Sequence, residues 1–124
     1  MNGYAYINNQ GYILEVSQEK LDLPVIQGIK TSEEKIVAGN RLEKEDLEKL
    51  ETVISITNIW KNNDIEQKIT SIDITNKLEY TLYVEEEKQK IYLGDESNLN
   101  NKILWAQAIM KDNKGIEGEI YVNG

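Results

Sequence analysis

The sequence predicts an α+β domain: a twisted, largely antiparallel β-sheet with two helices packed on one face. Leu78, Tyr80, Leu82 and Val84 alternate with Glu79, Thr81 and Tyr83. That period of two buries one face of a strand and wets the other. Ile72 and Ile74, set against Ser71, Asp73 and Thr75, repeat the pattern one strand earlier. Leu99, Ile103, Ala106 and Met110 recur instead at helical spacing, a stripe that Ile109 widens and that needs an apolar surface to rest on. A single domain over residues 1–124 is long enough to hold a core without disulfides or metals.

In chain order, Tyr4–Ile7 and Tyr12–Val16 flank Asn8-Asn9-Gln10-Gly11, residue types that supply the positive backbone dihedrals of a tight reversal, so this reads as a hairpin. Pro24 biases Leu23 to an extended conformation, and Leu23–Gly28 reads as extended chain dropping apolar side chains onto the core. Thr31–Asn40 is polar and weakly patterned, a surface loop expected to be the most mobile segment, with Gly39-Asn40 as its turn. Leu42–Asn62 is the first helix, with Glu43, Glu45 and Asp46 near the positive end of its dipole. Leu47, Leu50 and Ile54 would face the sheet, with Trp60 as a core plug. The β-branched run Val53–Thr57 also has strand character, but the acidic segment before it does not, so helix is favoured.

The second half, Ile69–Val122, reads as strand, strand, tight turn, strand, helix and last strand. The tetrad Glu85–Lys88 reverses the chain into Gln89–Leu93, and Gly94 closes the hairpin. Asp95, Glu96, Ser97 and Asn98 offer N-capping oxygens to the second helix, which ends at a basic residue with Gly115 beyond it. Gly118–Val122 returns as a strand.

Composition removes several chemistries. The chain has no cysteine and no histidine, hence no disulfide, thiol nucleophile or imidazole base, and little basis for a zinc or copper site. A net charge of −8 opposes phosphate, so nucleic acid and anionic membrane surfaces are poor partners. The glycines are isolated turn residues and form no phosphate loop. The acidic clusters Glu85–Glu87 and Asp95–Glu96 fall at a hairpin tip and a helix start, which argues against a carboxylate-pair hydrolase. No calcium loop is present, and no catalytic residue, metal or cofactor is expected. One feature bears on a partner: a terminal strand often lies at a sheet edge and then leaves backbone groups open to another strand, the alternative being an internal strand with nothing bound. Glu119 and Lys114 would blunt that edge, although self-pairing through Gly118–Val122 in a crystal is an expected outcome.

The order of these pieces resembles the β domain of the FtsQ/DivIB cell-division family. The likeness rests on the opening YAYINNQGYILEV and on Leu23-Pro24-Val25-Ile26-Gln27-Gly28. Its most specific part is KIYLGDESNLNNKILWAQAIM, with Ile91–Gly94, Leu99, Lys102, Ile103 and Leu104, and Gly118–Val122 completes it. The resemblance implies a non-enzymatic scaffold of the divisome. Family proteins carry a short cytoplasmic tail, one membrane helix and a small POTRA domain ahead of this domain, and a variable tail after it. The chain is therefore expected to be an excised extracytoplasmic piece, with Met1 added and the tail cut at Gly124. Family members sit on the outer face of the cell membrane at the septum and bind FtsB (DivIC) and FtsL, whose segment adds a strand beside the last strand.

Carried onto this sequence, the resemblance places Ile120, Tyr121, Val122 and Asn123 at the contact. Tyr121 comes first, as a rigid aromatic with a polar tip. Ile120 stands where better-known relatives carry a basic residue, which leaves the charge-pairing part of the contact without its usual residue. Charged substitutions at Tyr121 and Val122 are expected to abolish binding and spare the fold. The rival reading is a cell-wall module that binds peptidoglycan by stacking Tyr4, Tyr6 and Tyr12 on sugar rings.

Overall fold

Isoleucine, valine and tyrosine at alternate positions supply one apolar face per strand, and the chain uses them to build a sheet whose middle is antiparallel and whose two margins are parallel. In the computed structural model, residues 3–123 are described; Met1 and Gly124, the expected ends, lie outside them. The elements are β1 (Tyr4–Ile7), β2 (Ile13–Ser17), β3 (Val25–Gln27), a 3₁₀ turn (Glu33–Lys35), α1 (Lys44–Asn62), β4 (Ile69–Asp73), β5 (Tyr80–Val84), β6 (Gln89–Gly94), α2 (Leu99–Asp112) and β7 (Gly118–Tyr121).

The main sheet runs β3-β4-β5-β6-β7, while β1 and β2 form a separate ribbon. β4 and β6 flank β5 antiparallel, and β3 and β7 join in parallel at the two edges. Both helices cover one face, as expected. Leu50, Val53, Ile56 and Trp60 of α1 and Leu99, Ile103, Ala106 and Met110 of α2 share one core with Ile72, Leu82, Ile91 and Ile120. The α2 stripe is the one the spacing predicts, and Trp60 is buried with its Nε1–H donating to Gln67 O at 2.8 Å.

Four local expectations need correction. The buried stripe of α1 is turned from the predicted one, with Leu50 shared and Leu47 and Ile54 only half-buried. It turns because the helix also buries Asp46 and Lys49, which an apolar pattern does not count. Residues 32–40 run over the surface as expected, but Thr31 does not: it is buried, its N–H donates to Asp46 Oδ2 at 2.8 Å, and the Glu43 N–H donates to Thr31 Oγ1 at 2.8 Å. Thr31 thus caps α1 from a distance, where Glu43 makes no side-chain cap of its own. Leu78 is exposed, because Asn76 Oδ1 accepts its N–H at 2.9 Å and turns the chain before β5 begins. None of the predicted oxygens caps α2: Asn98 is left-handed with φ 52, and Asp95 instead accepts the Ser97 N–H at 3.0 Å.

Gly28 fixes how β3 meets β4. Its φ is +92, and a Cβ there would lie 2.6 Å from Thr75 N, so only glycine lets the strand leave the sheet at this crossing. β3 and β7 are the margins of the sheet.

Candidate functional site

The site is built on β7. Along Glu119-Ile120-Tyr121-Val122 exposed and buried side chains alternate, and the strand pairs in parallel with β6, Ile120 opposite Ile91 and Tyr121 opposite Tyr92. Alternation then separates the four predicted contact residues. Ile120 and Val122 point into the core, 7% and 2% exposed. Tyr121 stands on the opposite face at 57% exposure. Asn123 is tied back, its Nδ2–H donating to Glu79 Oε2 at 2.7 Å, while Glu79 Oε1 accepts the Gly94 N–H at 2.8 Å. A charge at Val122 would therefore enter the core, and a Tyr121/Val122 double substitution would not spare the fold.

On the open face, register creates a cluster that the sequence reading missed. Tyr83, Lys90 and Glu119 share one cross-strand row, and Thr81, Tyr92 and Tyr121 share the next. The rings of Tyr92 and Tyr121 stack at 4.5 Å between centroids and 3° between planes. Their hydroxyls both donate to Glu119, Tyr92 to Oε2 at 2.8 Å and Tyr121 to Oε1 at 2.9 Å. Lys90 Nζ lies 4.7 Å from the Tyr92 ring centre and 5.3 Å from that of Tyr83, a cation over two aromatic faces. The hint was present in KIYLG and GEIYV, where Lys90, Tyr92, Glu119 and Tyr121 each alternate with a core residue.

The electrostatics follow from these bonds. The Tyr92 hydroxyl, and then that of Tyr121, holds the Glu119 carboxyl below the ordinary carboxylate range. The same bond to Glu119 pushes the Tyr121 phenol up to about 12. Tyr92, followed by Tyr83, raises the Lys90 ammonium above the usual lysine range. The cluster is a fixed pattern of charge, and it fastens the edge strand to its neighbour.

The backbone of β7 is the other half of the site. The Gly118 N–H donates to Lys88 O and the Val122 N–H to Tyr92 O, each at 3.1 Å. In a parallel ladder the intervening residues Glu119 and Tyr121 turn their N–H and C=O groups outward, and no strand lies beyond β7 among the described residues. Lys114, expected to blunt this edge, instead pairs with Glu66 at 3.1 Å.

Other candidates sit elsewhere. A cleft of about 720 Å³ lies between the first ribbon, β3 and α1, and is lined by Tyr4, Tyr6, Ile26 and Ile54 among others. The Tyr6 hydroxyl accepts the Leu21 N–H at 2.9 Å and also bonds Glu19 O. Tyr12 does not line the cleft and has Arg41 above its ring at 5.1 Å. Glu85, Glu86 and Glu87 form the β5–β6 turn, and Asp95 binds Ser97 and Lys102, so both acidic clusters have structural partners or positions. Among the described residues no group of three or more histidines, cysteines or carboxylates is placed to hold a metal, and no helix is long and apolar enough to cross a membrane.

No curated protein and no solved structure matches the chain. A family model described as FtsQ/DivIB, C-terminal related, matches residues 1–117 and ends one residue before β7. That match takes in the ribbon, both helices and β3–β6, and the chain belongs to the FtsQ/DivIB C-terminal-related family of cell-division proteins.

Proposed function

We propose that this domain is a non-enzymatic divisome scaffold that binds FtsB/DivIC-like and FtsL-like proteins by adding a partner strand at β7. On this reading it works on the extracytoplasmic face of the cell membrane at the division septum. It is anchored there by a membrane helix ahead of the domain and supports septal peptidoglycan synthesis. The family assignment supports the cell-division role. The carrying observation is that β7 is a sheet margin with its outward backbone groups unopposed by another strand among the described residues. Main-chain pairing would supply affinity, and side chains at alternate positions would supply specificity. Of the four residues first placed at the contact, Tyr121 offers its side chain, Ile120 and Val122 act through the rigid strand they anchor, and Asn123 holds the strand's end.

The test is a titration of the isotopically labelled domain with the extracytoplasmic segment of its own FtsB/DivIC-like protein. Amide shifts concentrated on residues 118–123 are expected. A flat titration of a well-folded domain would overturn the proposal.

A further inference from the structure

We infer that the segment added at β7 carries a basic residue directly across from Glu119, most favourably an arginine, so that the charge sense of this interface is set by an acid on the domain. The inference rests on the strand-addition reading. Its own basis is the geometry of the open face. Cross-strand rows continue onto any strand added at an edge, so the row Tyr83, Lys90, Glu119 gains one more member beside Glu119.

Three features select a cation there. Glu119 is already oriented, one oxygen accepting from Tyr92 and the other from Tyr121, so a ligand does not have to order it. Each carboxylate oxygen accepts more than one donor, which leaves room for the two-pronged approach of a guanidinium. Lys90, next in the row, lies over the rings of Tyr83 and Tyr92, while the chain as a whole carries a charge of −8. An acidic residue brought to this position meets Glu119 at the edge, and opposed like charges across a strand pair are unfavourable. A guanidinium beside Glu119 also reaches the exposed ring of Tyr121, on which its plane stacks. The residue next to it on the added strand that falls beside Ile120 lies on the core side and is expected to be apolar.

The experiment uses the wild-type domain, Glu119→Gln and Glu119→Arg. Each is titrated with the extracytoplasmic segment of the FtsB/DivIC-like protein and with a set of its variants, each carrying one Lys→Glu or Arg→Glu change. Glu119→Gln is expected to bind about fivefold more weakly, with a shallower dependence on salt. One charge-reversed segment is expected to lose binding to the wild-type domain and regain it with Glu119→Arg. Binding at β7 that Glu119→Gln leaves unchanged overturns this inference alone. Weakened binding with no rescue at any position also overturns it, because a loosened strand would then explain the loss. A wild-type domain that fails to bind, or binds away from residues 118–123, overturns the strand-addition reading and this one with it.

Discussion

Asp46 is fully buried and accepts the backbone N–H of Thr31, 15 residues earlier, at 2.8 Å. It also accepts the Lys30 N–H at 2.9 Å and the Thr31 hydroxyl. One carboxylate therefore fastens the incoming chain to the first turn of α1. Asp46→Ala would leave two backbone donors without their acceptor in a closed site, and is expected to cost about 3 kcal/mol. Thr31→Ser, which keeps the hydroxyl, should cost less than about 1 kcal/mol. Urea unfolding midpoints read both; an Asp46→Ala domain as stable as wild type would refute the assignment.

The turn between β5 and β6 holds Glu85, Glu86 and Glu87 at φ 53, 55 and 72, three successive left-handed residues, all of them glutamate. Each side chain there pays a steric penalty of about 1–2 kcal/mol relative to glycine. Glu87→Gly removes one such strain and one of three neighbouring like charges, while adding freedom to the unfolded chain. A net gain of about 0.5–1 kcal/mol is expected, visible as a higher thermal midpoint. A lower midpoint would mean that the turn is not strained as described.

Ionisation of the clasp on β7 has a definite sign. The Glu119 pKa is depressed in the folded protein, so its contribution to stability is present above the ordinary glutamate value and is lost as pH falls through the folded one. Tyr121 is raised from 10.0 to about 12, so its contribution is full below 10.0 and is lost as pH rises through about 12. A tyrosinate titration by near-ultraviolet absorbance should show two phenols ionising late, Tyr80 because it is buried and Tyr121 because of its bond to Glu119, and Glu119→Gln should bring only the second back toward the others. If the substitution leaves the titration unchanged, the bond between Glu119 and Tyr121 is not formed in solution.

Apolar periodicity made most of the fold legible. The α2 stripe and the β4–β6 strands are read from spacing, the first ribbon from the turn residues Asn8–Gly11, and Trp60 is the core residue it was expected to be. Where the reading slipped, a polar side chain had taken a structural role. Asp46 and Lys49 lie inside, Lys49 donating to Thr75 O at 3.2 Å, and they take up part of the buried face of α1, leaving Leu47 half-buried and Ile54 half-buried against the core. Asn76 starts a turn where Leu78 had seemed to begin a strand. At the candidate site the place of β7 was legible, but the clasp was not. Tyr92 and Glu119 are 27 positions apart, and only the parallel register of β6 and β7 brings them together.

The parallel joint between β6 and β7 also has a kinetic consequence. β4, β5 and β6 follow one another as an antiparallel meander, whereas β7 meets β6 only after the whole of α2 has intervened. Pairings that close longer loops are slower to form. In pulse-labelled hydrogen exchange during refolding, β5 and β6 amides should gain protection before that of Ile120, and simultaneous protection would contradict this order. The margin proposed to meet a partner is then laid down after the meander it rests on, so a chain that has stalled in folding would present no finished edge to dock on.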